Sequence, residues 1–199
     1  MGNVPEKIIA KSIPILEFHK HILVVGGGAD NTLIELIKNK KCEKITHIDI
    51  SEVLSSKAKL RLQQEGLSDK LKVDYIVKDF LSMESEIKFN AVVFPYYLDL
   101  FLDSEIEENI YQARQFLGPK GSIYMIDFSS NTESNYWQRI KEKGLYFLFY
   151  PITKTSRSSF PNYKKLFENC GLEEVQSKTF KNGFYKYSKF KSCSAAKSL

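Results

Sequence analysis

A chain of 199 residues, 43% hydrophobic and 27% charged, is long enough to bury a core of its own and too apolar for a disordered segment. No apolar run reaches the roughly 20 residues needed to cross a bilayer, and the first residues lack the ordered charged, apolar and cleavage regions of a secretory signal. The net charge of +5 comes from lysines spread along the chain and densest near its end (Lys178, Lys181, Lys186, Lys189, Lys191, Lys197), which reads as a solvated face rather than a nucleic-acid footprint.

Residues 1–18 place Ile8, Ile9, Ile13, Leu16 and Phe18 at apolar positions with Pro14 among them, which predicts a short helix that breaks and leads into the core. His21–Val25 is an apolar run ending in three glycines, the pattern of a buried parallel strand and a tight turn. Within Asn31–Lys40, Leu33, Leu36 and Ile37 share one helical face. Lys44–Ile50 predicts a second strand, and Ser51–Glu65 a long helix carrying Val53, Leu54, Ala58, Leu60 and Leu62. Lys72–Val77 is a third strand running on to Asp79-Phe80, Phe89–Phe94 a fourth, and Asp103–Leu117 a helix. Gly118-Pro119-Lys120-Gly121 stops that helix and turns the chain, because glycine supplies a positive φ and proline forbids continuation. Ser122–Phe128 is a fifth strand.

Residues 129–160 are rich in Ser, Asn, Tyr and Phe, with a helix expected around Tyr136–Phe149. A further helix at Asn162–Asn169 closes at Cys170-Gly171, and two strands, Glu173–Phe180 and Phe184–Phe190, meet at the hairpin signal Lys181-Asn182-Gly183. The whole predicts an α/β fold: a doubly wound, Rossmann-like seven-stranded sheet, mostly parallel, with an antiparallel C-terminal hairpin. Residues 1–190 are expected to form a single domain with 129–160 as a substrate-lid insertion, and 191–199 a flexible tail. Cys42, Cys170 and Cys193 are scattered and show no C-x-x-C spacing. They predict a reducing, cytoplasmic setting and no metal site.

Ligands of open parallel sheets bind beyond the carboxyl ends of the strands, so those ends carry the functional reading. Gly26-Gly27-Gly28 lets the backbone turn sharply and approach a ligand closely. Asp49, about twenty residues on, can accept both ribose hydroxyls of a nucleoside cofactor, or else cap the helix starting near Ser51. Asp79 can accept an adenine amine while Phe80 packs on the ring, or can simply form a turn. Phe94-Pro95-Tyr96-Tyr97-Leu98-Asp99 would face the reacting end of the cofactor and the incoming substrate, or pack on the neighbouring helix.

These strand ends, followed by Gly118-Pro119-Lys120-Gly121-Ser122, resemble the successive motifs of class I S-adenosylmethionine-dependent methyltransferases over residues 21–128. The layout beyond is similar to ubiquinone/menaquinone-type methyltransferases, and Tyr97-Leu98-Asp99-Leu100-Phe101, Trp137 and Phe160-Pro161 are similar to small bacterial methyltransferases. The resemblance implies S-adenosylmethionine as cofactor, with Gly26, Gly28 and Asp30 along its methionine end, Asp49 on the ribose, and Asp79 with Phe80 on adenine. Gly27, Ile50, Phe94, Pro95 and Tyr96 complete the expected cofactor set. The sequence departs from the family pattern at Val24, where an acid stands two positions before the first glycine, at Asp30, which replaces the loop's last glycine, and at Asn90.

A sulfonium is already an activated methyl donor, so the protein mainly aligns the acceptor with it. Tyr97 and Asp99 are the expected catalytic residues, Asp99 being also placed to cap a turn before Asp103. Trp137, Tyr146 and Arg157 of the lid are the expected substrate-binding residues, suited to a small, flat or apolar acceptor methylated on oxygen or carbon. The sequence is compatible with a homodimer. Three other classes share parts of this pattern. A nicotinamide oxidoreductase would need a G-x-G-x-x-G spacing that is not completed before Leu33. A nucleic-acid or protein N-methyltransferase would need an amide or acid where Phe94 stands. A non-catalytic cofactor-binding module is suggested by Val24.

Overall fold

The computed structural model describes residues 4–28, 30–129 and 160–193. Chain order is α1 (Val4–Ser12), β1 (His19–Val25), α2 (Thr32–Lys38), β2 (Cys42–Asp49), α3 (Glu52–Gln64), β3 (Lys72–Val77), β4 (Phe89–Pro95), α4 (Asp103–Phe116) and β5 (Leu117–Phe128). Among the described residues α5 (Tyr163–Asn169), β6 (Leu172–Phe180) and β7 (Tyr185–Ser192) follow. The expected helix at 136–149, the proposed lid and most of the tail lie outside the described residues.

The strands form one seven-stranded sheet in the order β3-β2-β1-β4-β5-β7-β6. Strands β1 to β5 pair parallel, and β7 pairs antiparallel with both β5 and β6. The order reverses between β1 and β4, which opens a crevice at their carboxyl ends.

Alternation along each strand splits the core in two. Ile22, Val24, Ile45, Val93 and Tyr124 face α1, α2 and α3, while Leu23, Val25, Val92, Phe94 and Met125 face α4 and α5. Helix α3 presents Ser55, Ala58 and Leu62 to the sheet, a stripe at intervals of three and four. Val53 and Leu60, expected on the apolar face, are exposed. So is Phe18, 57% exposed, because the chain turns outward between the short helical turn Ile13–Ile15 and β1.

Two connections differ from expectation. Leu117 already pairs with Phe89, and Ser122 pairs next with Ala91, so Gly118–Gly121 is an excursion inside β5 rather than a turn before it. The hairpin closes at Phe180 opposite Tyr185, leaving Lys181, Asn182 and Gly183 in succession at positive φ (52°, 57°, 86°). That is a longer loop than a two-residue turn, and Asn182-Gly183 tolerates it best.

Phe167 of α5 stacks on Phe190 of β7 with ring centroids 3.7 Å apart, both fully buried. Phe190→Ala is expected to cost about 3–5 kcal/mol through lost burial and an unfilled cavity, read as a lowered midpoint in thermal unfolding. An unchanged midpoint would mean that this end of the sheet closes without the stack.

Candidate active site

Strand β1 ends at Val25, and the chain turns at once through Gly26 (φ 73°) and Gly27 (φ 71°). Sterics hold this turn glycine-only. A Cβ on Gly26 would meet the Tyr97 ring at 2.7 Å, and one on Gly27 would meet Pro95 Cγ at 2.5 Å. One on Gly28 would meet Leu54 Cβ at 2.8 Å and Asp49 Oδ2 at 3.0 Å. The Gly26 amide donates to Ile48 O at 2.8 Å, so the turn is stitched to the neighbouring strand.

Asp49, 8% exposed, is the last residue of β2 and sits against Gly28. Its Oδ1 accepts from the Ser51 amide at 2.9 Å. The cap of α3 itself is Ser51, whose hydroxyl accepts from the Leu54 amide at 3.3 Å. Ile50 just past β2, Val53 in the first turn of α3 and Val77 at the end of β3 are exposed apolar side chains. Asp79 is exposed and accepts from the Leu81 amide at 3.3 Å, so it starts a helical turn at Phe80–Ser82. Phe80 and Phe94 are buried in the core and pack edge-to-face at 5.9 Å; neither ring forms part of the surface.

Asp30 has an unusual setting. Its Oδ1 accepts from the Thr32 amide at 2.7 Å, whereas Oδ2 is buried without a hydrogen-bond partner among the described residues, 3.0 Å from where a Cβ on Gly27 would lie. Burial pushes this carboxyl up to about 7, against the pull of the Thr32 hydrogen bonds and the Arg61 charge. Arg61 also bonds Asn31 and pairs with Glu6 at 2.9 Å, which ties α1 to the start of α2 beside the turn.

Pro95 packs beneath the glycine turn. Tyr96 is held at φ 47°, rarely adopted by a side chain of this size, with its hydroxyl donating to Pro5 O at 3.3 Å and its ring 5.3 Å from Phe128. The Tyr97 ring stacks on Phe94 and its hydroxyl donates to Asn109 Oδ1 of α4 at 3.1 Å. Burial, then the Asp79 and Asp49 charges, push the Tyr97 phenol above its ordinary range, so it stands as a neutral hydroxyl. Asp99 lies in the turn Leu98–Leu100, and the α4 start is capped instead by Glu105 accepting from the Leu102 amide at 2.7 Å. Trp137, Tyr146 and Arg157 lie outside the described residues.

Two residues escaped the sequence reading. Asp127, fully buried near the end of β5, accepts from the Asp99 amide at 3.3 Å and the Phe128 amide at 2.8 Å. Extending the strand-end rule to the fifth strand would have found it. His47, also fully buried, brings Nε2 within 3.1 Å of Gly26 O. A lone histidine inside an apolar strand offers no such signal.

A doubly wound sheet ending in an antiparallel pair, with a glycine turn and acidic strand ends around one crevice, defines the class I S-adenosylmethionine-dependent methyltransferase fold. The family model described as a methyltransferase domain matches residues 22–121, and the chain belongs to that family. It is similar to mitomycin 7-O-methyltransferase (TM-score 0.79, 14% identity, covering 97% of this chain and 55% of that one). It is also similar to an O-methyltransferase from neocarzinostatin biosynthesis, solved with S-adenosylmethionine and 2-hydroxy-5-methyl naphthoic acid (TM-score 0.65, 16% identity, 87% and 49% covered). Among curated proteins it is similar to a polyamine aminopropyltransferase of Sulfurisphaera tokodaii, 37% identical over 76 residues, 36% of this chain. The chain matches about a quarter of that relative's length and spans about half of the mitomycin enzyme. No described helix is long and apolar enough to cross a membrane.

Proposed function

We propose that this chain binds S-adenosylmethionine in the crevice at the glycine turn and transfers its methyl group to an oxygen or carbon of a small, flat or apolar molecule. The observation that carries this reading is the pairing of two carboxylates with the turn: Asp49 against Gly28, and the partnerless Asp30 Oδ2 beneath Gly27. An ammonium set against the turn supplies the donor that Asp30 lacks and draws its carboxyl back to the charged form. Asp49 accepts from the ribose hydroxyls, and Ile50 with the loop at Asp79 flanks the adenine. Two structural neighbours that are O-methyltransferases support the acceptor class.

The bound cofactor supplies a methyl on a positively charged sulfur, which needs alignment more than activation. On the protein side, Tyr97 packs on Gly26 and is anchored to Asn109, so its position is set by the core rather than by solvent. Asp99, held through its amide by Asp127, is the carboxylate proposed to take an acceptor proton. Incubating the protein with methyl-labelled S-adenosylmethionine and a small-molecule cell extract is expected to place label in one or a few metabolites. Label confined to protein or nucleic acid would overturn the acceptor class.

The aminopropyltransferase relatives favour a second reading, transfer of the aminopropyl chain of a related sulfonium at the same turn. A donor labelled in that chain rather than in the methyl group separates the two.

A further inference from the structure

His47 stands directly beside Val24 in the parallel β1–β2 pair. Paired residues of neighbouring strands point to the same face of a sheet, as do residues two apart along one strand. Val24, His47 and Asp49 therefore share the face against which the glycine turn folds. Val24 is the position where the resembled family carries an acid, and here it is a fully buried core residue. Its partner one strand over in β2 is polar.

That group is connected to the turn. His47 Nε2 lies 3.1 Å from the carbonyl oxygen of Gly26, and the ring is braced edge-on by Tyr75, its partner across β3, at 5.7 Å. A carbonyl oxygen only accepts, so the nitrogen facing it carries the proton, and Nδ1 is then a bare acceptor. Nδ1 is buried and has no hydrogen-bond partner among the described residues. A valine or leucine here would avoid the cost of an unsatisfied buried polar atom. A residue that burdens the fold while gripping the turn is explained by what the grip does.

We propose that His47 is a positioning residue for the cofactor: its Nε2–H holds the Gly26 carbonyl and so sets the glycine turn in the shape that receives the methionine end, in place of the acid absent at Val24. This rests on the cofactor reading above. Asp49 sits against the other end of the same turn at Gly28, so two side chains of β2 border the loop from one side.

The test is calorimetric titration with S-adenosylmethionine and S-adenosylhomocysteine, paired with thermal unfolding. His47→Leu is expected to unfold at the same or a higher temperature while binding both ligands about tenfold more weakly, the scale of one lost hydrogen bond. His47→Gln, which can return an amide N–H near the Nε2 position, is expected to recover most of the affinity. Wild-type affinity in His47→Leu overturns the proposal, and so does a Leu variant that loses stability without any specific loss of binding. Should the Leu variant not fold, the nitrogen spectrum of the wild-type imidazole decides: the neutral Nε2–H form supports the proposal and the Nδ1–H form overturns it. Failure of the wild type to bind either ligand overturns the cofactor reading itself, which separates the two failures.

Discussion

Replacing Asp49 by alanine is expected to weaken binding of S-adenosylmethionine and S-adenosylhomocysteine alike, by about tenfold or more. The proposed role is acceptance of two ribose hydroxyls, and hydrogen bonds to a charged group are each worth about 1.5–3 kcal/mol. Both ligands carry the same ribose, so the loss falls equally on them and spares any methyl-specific contact. Alanine also removes the acceptor of the Ser51 amide. The helix start is less affected, because the cap on Leu54 comes from the Ser51 hydroxyl. Asp49→Asn separates the two effects: it retains an acceptor for Ser51 and loses the charge, so it is expected to fold like the wild type and still bind more weakly. Calorimetric affinities unchanged in both variants would move the ribose elsewhere.

The second large effect is expected at Asp127. Alanine there strands the buried amide of Phe128 and the part-buried amide of Asp99, which both donate to this fully buried carboxyl. Unsatisfied buried donors cost about 1–3 kcal/mol each, and for a chain of this size each kcal/mol lowers the melting temperature by about 2–4 °C. The turn that carries Asp99 would also lose its tether to β5, so cofactor binding should survive better than methyl transfer. The pH dependence has a definite sign. Burial first, then the Asp99 charge, raise the Asp127 carboxyl well above the usual range, whereas in the unfolded chain an Asp titrates near about 4. The folded state therefore holds the proton more tightly. The stability this contributes is fully present below the unfolded value and is lost as pH rises through the folded one. Asp127→Asn cannot titrate, so the wild type should lose melting temperature relative to it as pH rises from about 4. Parallel curves for the two proteins would show that the Asp127 carboxyl titrates in the fold as it does in the unfolded chain.

Much of the scaffold is local in origin and could be read from the chain. Apolar runs of strand length alternating with amphipathic stretches specify parallel strands and crossover helices, and β3 begins and ends where its apolar pattern does. The glycine turn, Asp49 and Asp79 were legible as positions because each stands at or just past the end of a strand. The burial of Phe80 and Phe94 was not, since the face a residue takes at a strand end depends on which helix covers it. Excursion Gly118–Gly121 was misread for a related reason: Leu117 pairs with Phe89 only because β4 is already in place.

By itself, then, the sequence determined the order of elements, the class of sheet and the strand ends where a cofactor would lie, all from patterns within a few residues. Only the tertiary structure decided which groups meet there. Asp127 grips the amide of Asp99 from 28 residues away, and His47 reaches Gly26 from 21. Such contacts arise when parallel strands fall into register, and register is a property of the packed sheet that no single segment encodes.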